Sequence, residues 1–197
     1  MTAPAQDRLD HFLRWRCLLE DPFVELDLSL AMLDEAQRTA LQPKLQSALA
    51  AMARIDAGAV ANADEQRMVG HYWLRAPGLA PSESISDEIL AVLQSVKDFA
   101  ADVHAGRIAA SNGARFRTVI LCGIGGSSLG PMLLGEVFGG AEAPMRLCVL
   151  DNTDPDGIDR QLSAIGSLAD CLVLVISKSG GTPETRNGML EVQHAFA

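Results

Sequence analysis

An apolar run that passes without a break into a cluster of glycines restricts this chain more than anything else in it. Residues 118–130 read TVILCGIGGSSLG. A continuous run such as Val119 to Cys122, with Ile124 just beyond, reads as a strand buried on both faces, the kind found in parallel sheets. The glycines read as a tight turn that brings bare backbone close to something else. Ser128 through Phe138 then reads as a helix, and the first N–H groups of such a helix have no partner inside it. Strand, glycine turn and helix N-terminus together make a site for an anion, most often a phosphate.

Composition limits whose phosphate this can be. The chain has 197 residues, of which 48% are apolar and 21% charged, which is ordinary for a folded globular protein. A net charge of −9 argues against a surface for nucleic acid, which needs a basic face. It leaves room for one small phosphate, which helix ends and one or two cations can hold. No apolar run reaches the roughly eighteen residues of a membrane span. The opening MTAPAQDRLDHF has neither the basic start nor the apolar stretch of a secretory leader. Cys17, Cys122, Cys148 and Cys171 form no CxxC pair, and three of them lie in strand-like runs. The expectation is buried thiols in a reducing cytoplasm, with neither a disulfide framework nor a metal site.

Ahead of the glycine loop the pattern is helical. Leu9, Phe12, Leu13, Trp15, Leu18 and Leu19 make a helical stripe over 6–20, followed after Pro22 by a short extended run, FVELDLSL. Residues 33–56 predict a long helix that either kinks at Pro43 or divides there. Asn62 or Asp64 is placed to cap a helix running to about Arg75, whose Glu65, Arg67, His71 and Arg75 would form a solvated face beside aromatic core contacts. A further amphipathic helix spans Ile85 to about Ile108, and SNGAR at 111–115 is a turn cluster. The grammar then changes: strand 117–122, helix near 128–138, strand 145–150, helix near 156–164, strand 171–177, and a helix from about 182 to the last residue. That order, βαβαβα, is a parallel sheet with helices on its faces. The predicted class is α/β, with a mainly helical segment over 1–115 and the α/β part over 116–197.

The glycine loop alone leaves the ligand open. It is not a Walker loop, because Pro131 follows Gly130, and the dinucleotide fingerprint fails at its third glycine, which is Ser128. Asp151 at the end of the second strand could still take a ribose hydroxyl. The third strand argues against a nucleotide. It ends in Ser177-Lys178-Ser179-Gly180-Gly181-Thr182-Pro183-Glu184-Thr185, a second anion cradle at a carboxyl strand end, where such folds bind ligands. Thr182 takes the N-cap position of the last helix and Pro183 its first residue. Lys178 supplies countercharge, on the order of 4 kcal/mol for a phosphate about 4 Å away at an effective dielectric near 20. Each charge-assisted hydrogen bond from a hydroxyl or N–H adds roughly 1.5–3 kcal/mol. Two small hydroxyl-rich loops suit one phosphate monoester better than an extended dinucleotide; the plain alternative is a polar turn with a capping threonine. In the spacer DNTDPDG (151–157), Asp154 or Asp156 is expected to cap the next helix beside Pro155.

GIGGSSLGP (123–131) and SKSGGTPET (177–185), in that order on the first and third strands, resemble the two signature segments of the phosphoglucose isomerase family, with its sugar isomerase (SIS) fold. Asn62, Glu65, Arg67, His71 and Leu74-Arg75 resemble the family's N-terminal segment N-x-x-E-x-R followed by H and L-R, and Phe99, Val103, Gly106 and Phe116 also fit. The resemblance runs from about residue 60 to the end. It implies an SIS-type three-layer domain, apparently incomplete, and the interconversion of glucose 6-phosphate and fructose 6-phosphate through an enediol, a step of glycolysis and gluconeogenesis. It also implies a sugar phosphate as ligand, no cofactor, and a homodimer when full length, with active sites shared between subunits. Carried over by position, Gly126 and Ser127 would contact substrate, and Ser177, Lys178, Ser179 and Thr182 would hold the phosphate. The family's commoner loop is S-K-T-x-T-T; here Ser179 keeps a hydroxyl and Gly181 loses one.

The groups that would perform the chemistry are missing from the pattern. The family's base, ring-opening group and stabilising cation lie on motifs downstream of the SK loop, and none of those motifs occurs here. Glu184, Glu191 and His194 lie on the closing helix, not in matching positions, so no catalytic residue is assigned. The last helix stops in mid-pattern at Ala197, with no capping glycine and no fourth strand. The expectation is the N-terminal part of a longer enzyme, inactive alone. A non-catalytic SIS-fold sugar-phosphate sensor is the other reading, disfavoured by the acidic N-terminal region.

Overall fold

The computed structural model describes residues 5–140 and 142–197; the reading of the opening residues as lacking a leader falls partly on 1–4, outside that range. The chain divides into two units, one up to Leu90 and one from Ala91 on.

In the first unit, α1 (Ala5–Trp15) carries the predicted stripe but stops at Trp15. The remainder of the predicted helix is a strand, β1 (Arg16–Glu20), paired antiparallel with β2 (Phe23–Asp27), so that Arg16 faces Asp27 and Glu20 faces Phe23. An apolar run as short as Cys17-Leu18-Leu19 fits either period, and the extended partner decides it. The Arg16 guanidinium donates to Glu25 across this ladder. Next, α2 (Glu35–Asp56) begins in a capping box: Asp34 Oδ1 accepts from the Gln37 N–H at 2.7 Å, and Gln37 Oε1 accepts from the Asp34 N–H at 2.9 Å. The helix runs undivided through Pro43, which removes one ladder donor without ending it.

The helix predicted over 62–75 is absent. In its place β3 (Val60–Asn62) pairs antiparallel with β4 (Arg67–Met68), and residues 71–75 are turns. The capping chemistry is nevertheless present. Asn62 Oδ1 accepts from the Glu65 N–H at 3.1 Å, as an N-cap would, and Asn62 Nδ2 donates to Glu65 Oε2 at 3.3 Å. Gln66 then takes φ +53°, which no helix accommodates, and the chain reverses. Beyond the hairpin, the Trp73 N–H donates to the Gly70 carbonyl at 2.9 Å and the Trp73 ring lies directly on Gly70. Trp73 is only 4% exposed, which makes it the large apolar anchor of this unit. The following helix, α3 (Glu83–Ala105), starts and ends slightly earlier than predicted.

The second unit follows the predicted order closely. It contains β5 (Thr118–Cys122), α4 (Gly126–Phe138), β6 (Arg146–Leu150), α5 (Pro155–Ile165), β7 (Cys171–Val175) and α6 (Pro183–Ala195). The three strands are parallel in the order β6-β5-β7, with Cys122 level with Leu150 on one side and Val175 on the other. Side chains alternate across the sheet. Ile120, Cys122, Leu150 and Cys171 point to one face and pack with Ile158 of α5 and Val192 of α6. On the opposite face Gly135 of α4 lies against Leu147. Helices therefore cover both faces, and the fold is α/β. Ile120 is 0% exposed, a burial that contributes about 1.5–3 kcal/mol.

Burial also governs the thiols. It pushes the Cys122 thiol up to about 11, with Cys148 nearby adding to the effect. At pH 8 only about one Cys122 in a thousand is then a thiolate, whereas Cys17 is exposed. A thiol-alkylating reagent is expected to modify Cys17 within minutes and Cys122 only on unfolding, read by peptide mass spectrometry. Equal labelling of the two would contradict the burial of β5.

Candidate functional site

The site is built where β5 and β7 end. At the close of the ladder, the Ile176 N–H donates to the Cys122 carbonyl at 2.9 Å. The residues that follow, Gly123 and Ser177, each open a loop, so the glycine loop and the Ser177–Thr182 loop leave the sheet side by side. Gly123 shows how close they are: a Cβ there would stand 3.1 Å from the Ser127 carbonyl oxygen and 3.3 Å from the Ile176 carbonyl oxygen. This glycine is caught between backbone atoms of both loops. Adjacent parallel strands whose connections leave in opposite directions form the crevice in which open α/β sheets bind ligands.

The two helices that begin here are left without side-chain caps. Gly125 occupies the N-cap position of α4 at φ +56° and ψ −122°, a conformation that glycine alone adopts freely. It has no side chain to offer. Ser128 is buried and donates from Oγ to the Gly125 carbonyl at 3.2 Å, fixing the turn. Thr182 occupies the N-cap position of α6, as expected, and Pro183 follows, but the Thr182 hydroxyl makes no capping bond. It pairs instead with Ser177 Oγ at 2.9 Å. Ser177 Oγ also accepts from the Gly180 N–H at 3.0 Å, and Ser179 Oγ accepts from the Gly181 N–H at 3.2 Å. The hydroxyls thus brace their own loop and leave the N–H groups of the first turn of α6 for another acceptor. By contrast α5, the remaining helix that starts at this edge of the sheet, is closed by its own carboxylate: Asp154 accepts from the Gly157 N–H at 3.0 Å.

Each sequence-predicted residue can now be located. Gly126 and Ser127 open α4; Ser177, Lys178 and Ser179 lie on the β7 loop, with Lys178 exposed; Thr182 stands before α6. Glu184 is half-buried in the first turn of α6, while Glu191 and His194 are exposed farther along it. Asp151 borders a different space, a cavity of about 970 Å³ beside β6 and α4 that Met132, Leu147 and Val149 also line. Sequence reasoning passed over Gly123 as the contact between the loops and Thr185 as a buried residue of α6. No group of His, Cys, Asp and Glu side chains among the described residues is arranged to hold a metal ion. Among them, no helix is long and apolar enough to cross a membrane.

A family model described as phosphoglucose isomerase matches residues 27–196, which takes in both loops and the elements that present them. The chain belongs to the phosphoglucose isomerase family. A protein from Synechococcus elongatus named glucose-6-phosphate isomerase is 52% identical over 196 residues, covering 98% of this chain and 37% of that protein. Proteins of the same name from a Geobacter species and from Nostoc punctiforme are 50% and 47% identical, over 91% and 94% of this chain and 34% and 35% of theirs. The chain thus spans about a third of the length of the curated relatives that it matches.

Proposed function

We propose that the crevice between the glycine loop and the Ser177–Thr182 loop grips the phosphate of glucose 6-phosphate or fructose 6-phosphate. In this reading Gly126 and Ser127 meet the substrate from the start of α4. Ser177, Ser179 and Thr182 hold the phosphate from the β7 loop, and Lys178 supplies positive charge. The observation that carries the proposal is the pair of helix starts without side-chain caps at adjacent strand ends, brought close at Gly123. In α4 the Ser127 and Ser128 N–H groups donate to the Ile124 and Gly125 carbonyls, so the helix dipoles and the remaining first-turn N–H groups, chiefly those of α6, are what favour an external anion.

Gripping phosphate is one part of aldose–ketose isomerisation. The reaction also needs a base to move a proton between C1 and C2, a group to open the ring and a cation to stabilise the enediolate. We assign those groups to the part of the relatives' length that this chain does not span, and expect the chain by itself to be inactive. The SIS-type anion-binding part starts from about residue 116. A cytoplasmic setting accords with the free, largely buried thiols. A homodimer for the whole protein accords with the family resemblance.

Calorimetric titration of the chain tests the grip. Fructose 6-phosphate and inorganic phosphate are expected to bind, and unphosphorylated fructose is not. Lys178→Ala is expected to weaken phosphate binding tenfold or more, in line with the loss of one charge-assisted contact. Undiminished binding by the variant, or equal binding of fructose, would remove the basis for the assignment. Measurable turnover of fructose 6-phosphate by the chain would mean that it carries catalytic groups of its own.

A further inference from the structure

Burying a hydroxyl without a hydrogen-bond partner is costly, and folded proteins contain few such groups. Thr185 is one. It is 3% exposed, and its Oγ1 is buried with no hydrogen-bond partner. It stands in the first turn of α6, two residues after Pro183, on the face that carries the buried Gly188 and Val192. A Cβ on Gly188 would lie 3.7 Å from Leu150 Cβ and 3.8 Å from Cys122 Cβ, so that residue is level with the last rungs of β5 and β6. Because α6 runs back along the strands that precede it, Thr185, one turn earlier, lies level with the point where β5 passes into Gly123. Its hydroxyl therefore sits behind the cradle rather than in it. Ser177, Ser179, Thr182 and Ser128 all spend their hydroxyls on bonds within the two loops, and Thr185 alone among these hydroxyl residues does not.

Building on the phosphate grip just proposed, we propose that Thr185 is a positioning residue: its hydroxyl is a latent donor that takes up a backbone carbonyl at the end of β5 when an anion draws the first turn of α6 and the glycine loop together. The hydroxyl never touches the ligand. It links anion binding to the seating of α6, so that the unsatisfied bond disfavours the open arrangement and the completed bond favours the closed one.

Thr185→Val keeps the shape and removes the hydroxyl, while Thr185→Ser keeps the hydroxyl. Inorganic phosphate and fructose 6-phosphate are titrated calorimetrically into the chain and both variants, and urea unfolding is followed without added anion. The expected result is a loss of about tenfold in affinity for Thr185→Val, with an unfolding midpoint that is unchanged or higher, because an unpartnered hydroxyl has been removed. Thr185→Ser is expected to bind within about twofold of the parent at a lower midpoint, having lost a buried methyl group. Wild-type affinity in Thr185→Val overturns the proposal. So does a loss of affinity accompanied by a lower midpoint, which marks a packing role only. If Lys178→Ala abolishes binding while Thr185→Val leaves it intact, the grip stands and the latent donor falls; if the parent chain binds neither anion, both fall.

Discussion

Gly123→Ala is expected to strip the chain of its anion affinity while leaving most of its sheet intact. The added methyl would lie 3.1 Å from the Ser127 carbonyl oxygen, 3.2 Å from Ser127 Cβ and 3.3 Å from the Ile176 carbonyl oxygen. Two of these neighbours are backbone atoms, one in the first turn of α4 and one just beyond β7, so no side chain can swing aside to relieve them. One or both loops must retreat by a few tenths of an ångström. Overpacking of this kind costs about 1–3 kcal/mol of stability. The cost to binding is larger, because an anion held by N–H groups from two helices depends on both being at hydrogen-bond distance at once. We expect phosphate affinity to fall a hundredfold, measured by calorimetry, with far-ultraviolet circular dichroism unchanged. Retention of parental affinity would show that the two loops do not act on one ligand.

The second large effect is expected in the first unit. A methyl group on Gly70 would stand 2.0 Å from Trp73 Cε3 and 2.3 Å from Cζ3, inside the ring's own volume. An indole is rigid and Trp73 is 4% exposed, so the ring has to leave its site for alanine to fit. Losing a buried tryptophan from its packing costs about 3–5 kcal/mol. Gly70→Ala is therefore expected to loosen the first unit, with a red shift of tryptophan emission and a loss of amide-exchange protection confined to residues before Leu90. The cause can be isolated by a double-mutant cycle: once Trp73→Ala has been made, adding Gly70→Ala should cost almost nothing further. A full additional penalty in the double variant would place the cause in the backbone and not in the ring.

Where sequence and structure agree, the reason is local. Each strand of the second unit is a short apolar run closed by a turn signal, and the starts of α5 and α6 are marked by Asp154-Pro155 and Thr182-Pro183, while α4 begins at Gly126, two residues before the Ser128 read from the sequence. Those signals need no knowledge of distant residues. The misreadings also have a local cause, since one piece of chemistry serves two structures. An asparagine that accepts from the N–H three residues on will cap a helix or close a turn, and at Asn62 the choice is made by Gln66 at φ +53° and by a partner strand at Arg67. Cys17-Leu18-Leu19 likewise becomes a strand because of its partner across the Asp21-Pro22 turn. In the site, the hydroxyls, the lysine and the glycines were legible as residue types. The importance of Gly123 was not, because it depends on Ile176, far away in the sequence. Thr185 was hidden for a related reason: its burial follows from the packing of α6 on β5 and β6.

The contrast between α5, which has a side-chain cap, and α4 and α6, which have none, bears on any measured stability of this protein. A ligand that binds the folded form and not the unfolded chain adds RT ln(1 + [L]/Kd) to the free energy of unfolding, about 2.7 kcal/mol at a hundredfold excess over Kd. Inorganic phosphate is both a common buffer and the simplest ion of the class proposed for the crevice between the two loops. If phosphate occupies the proposed crevice, the buffer becomes a hidden variable of the folding equilibrium.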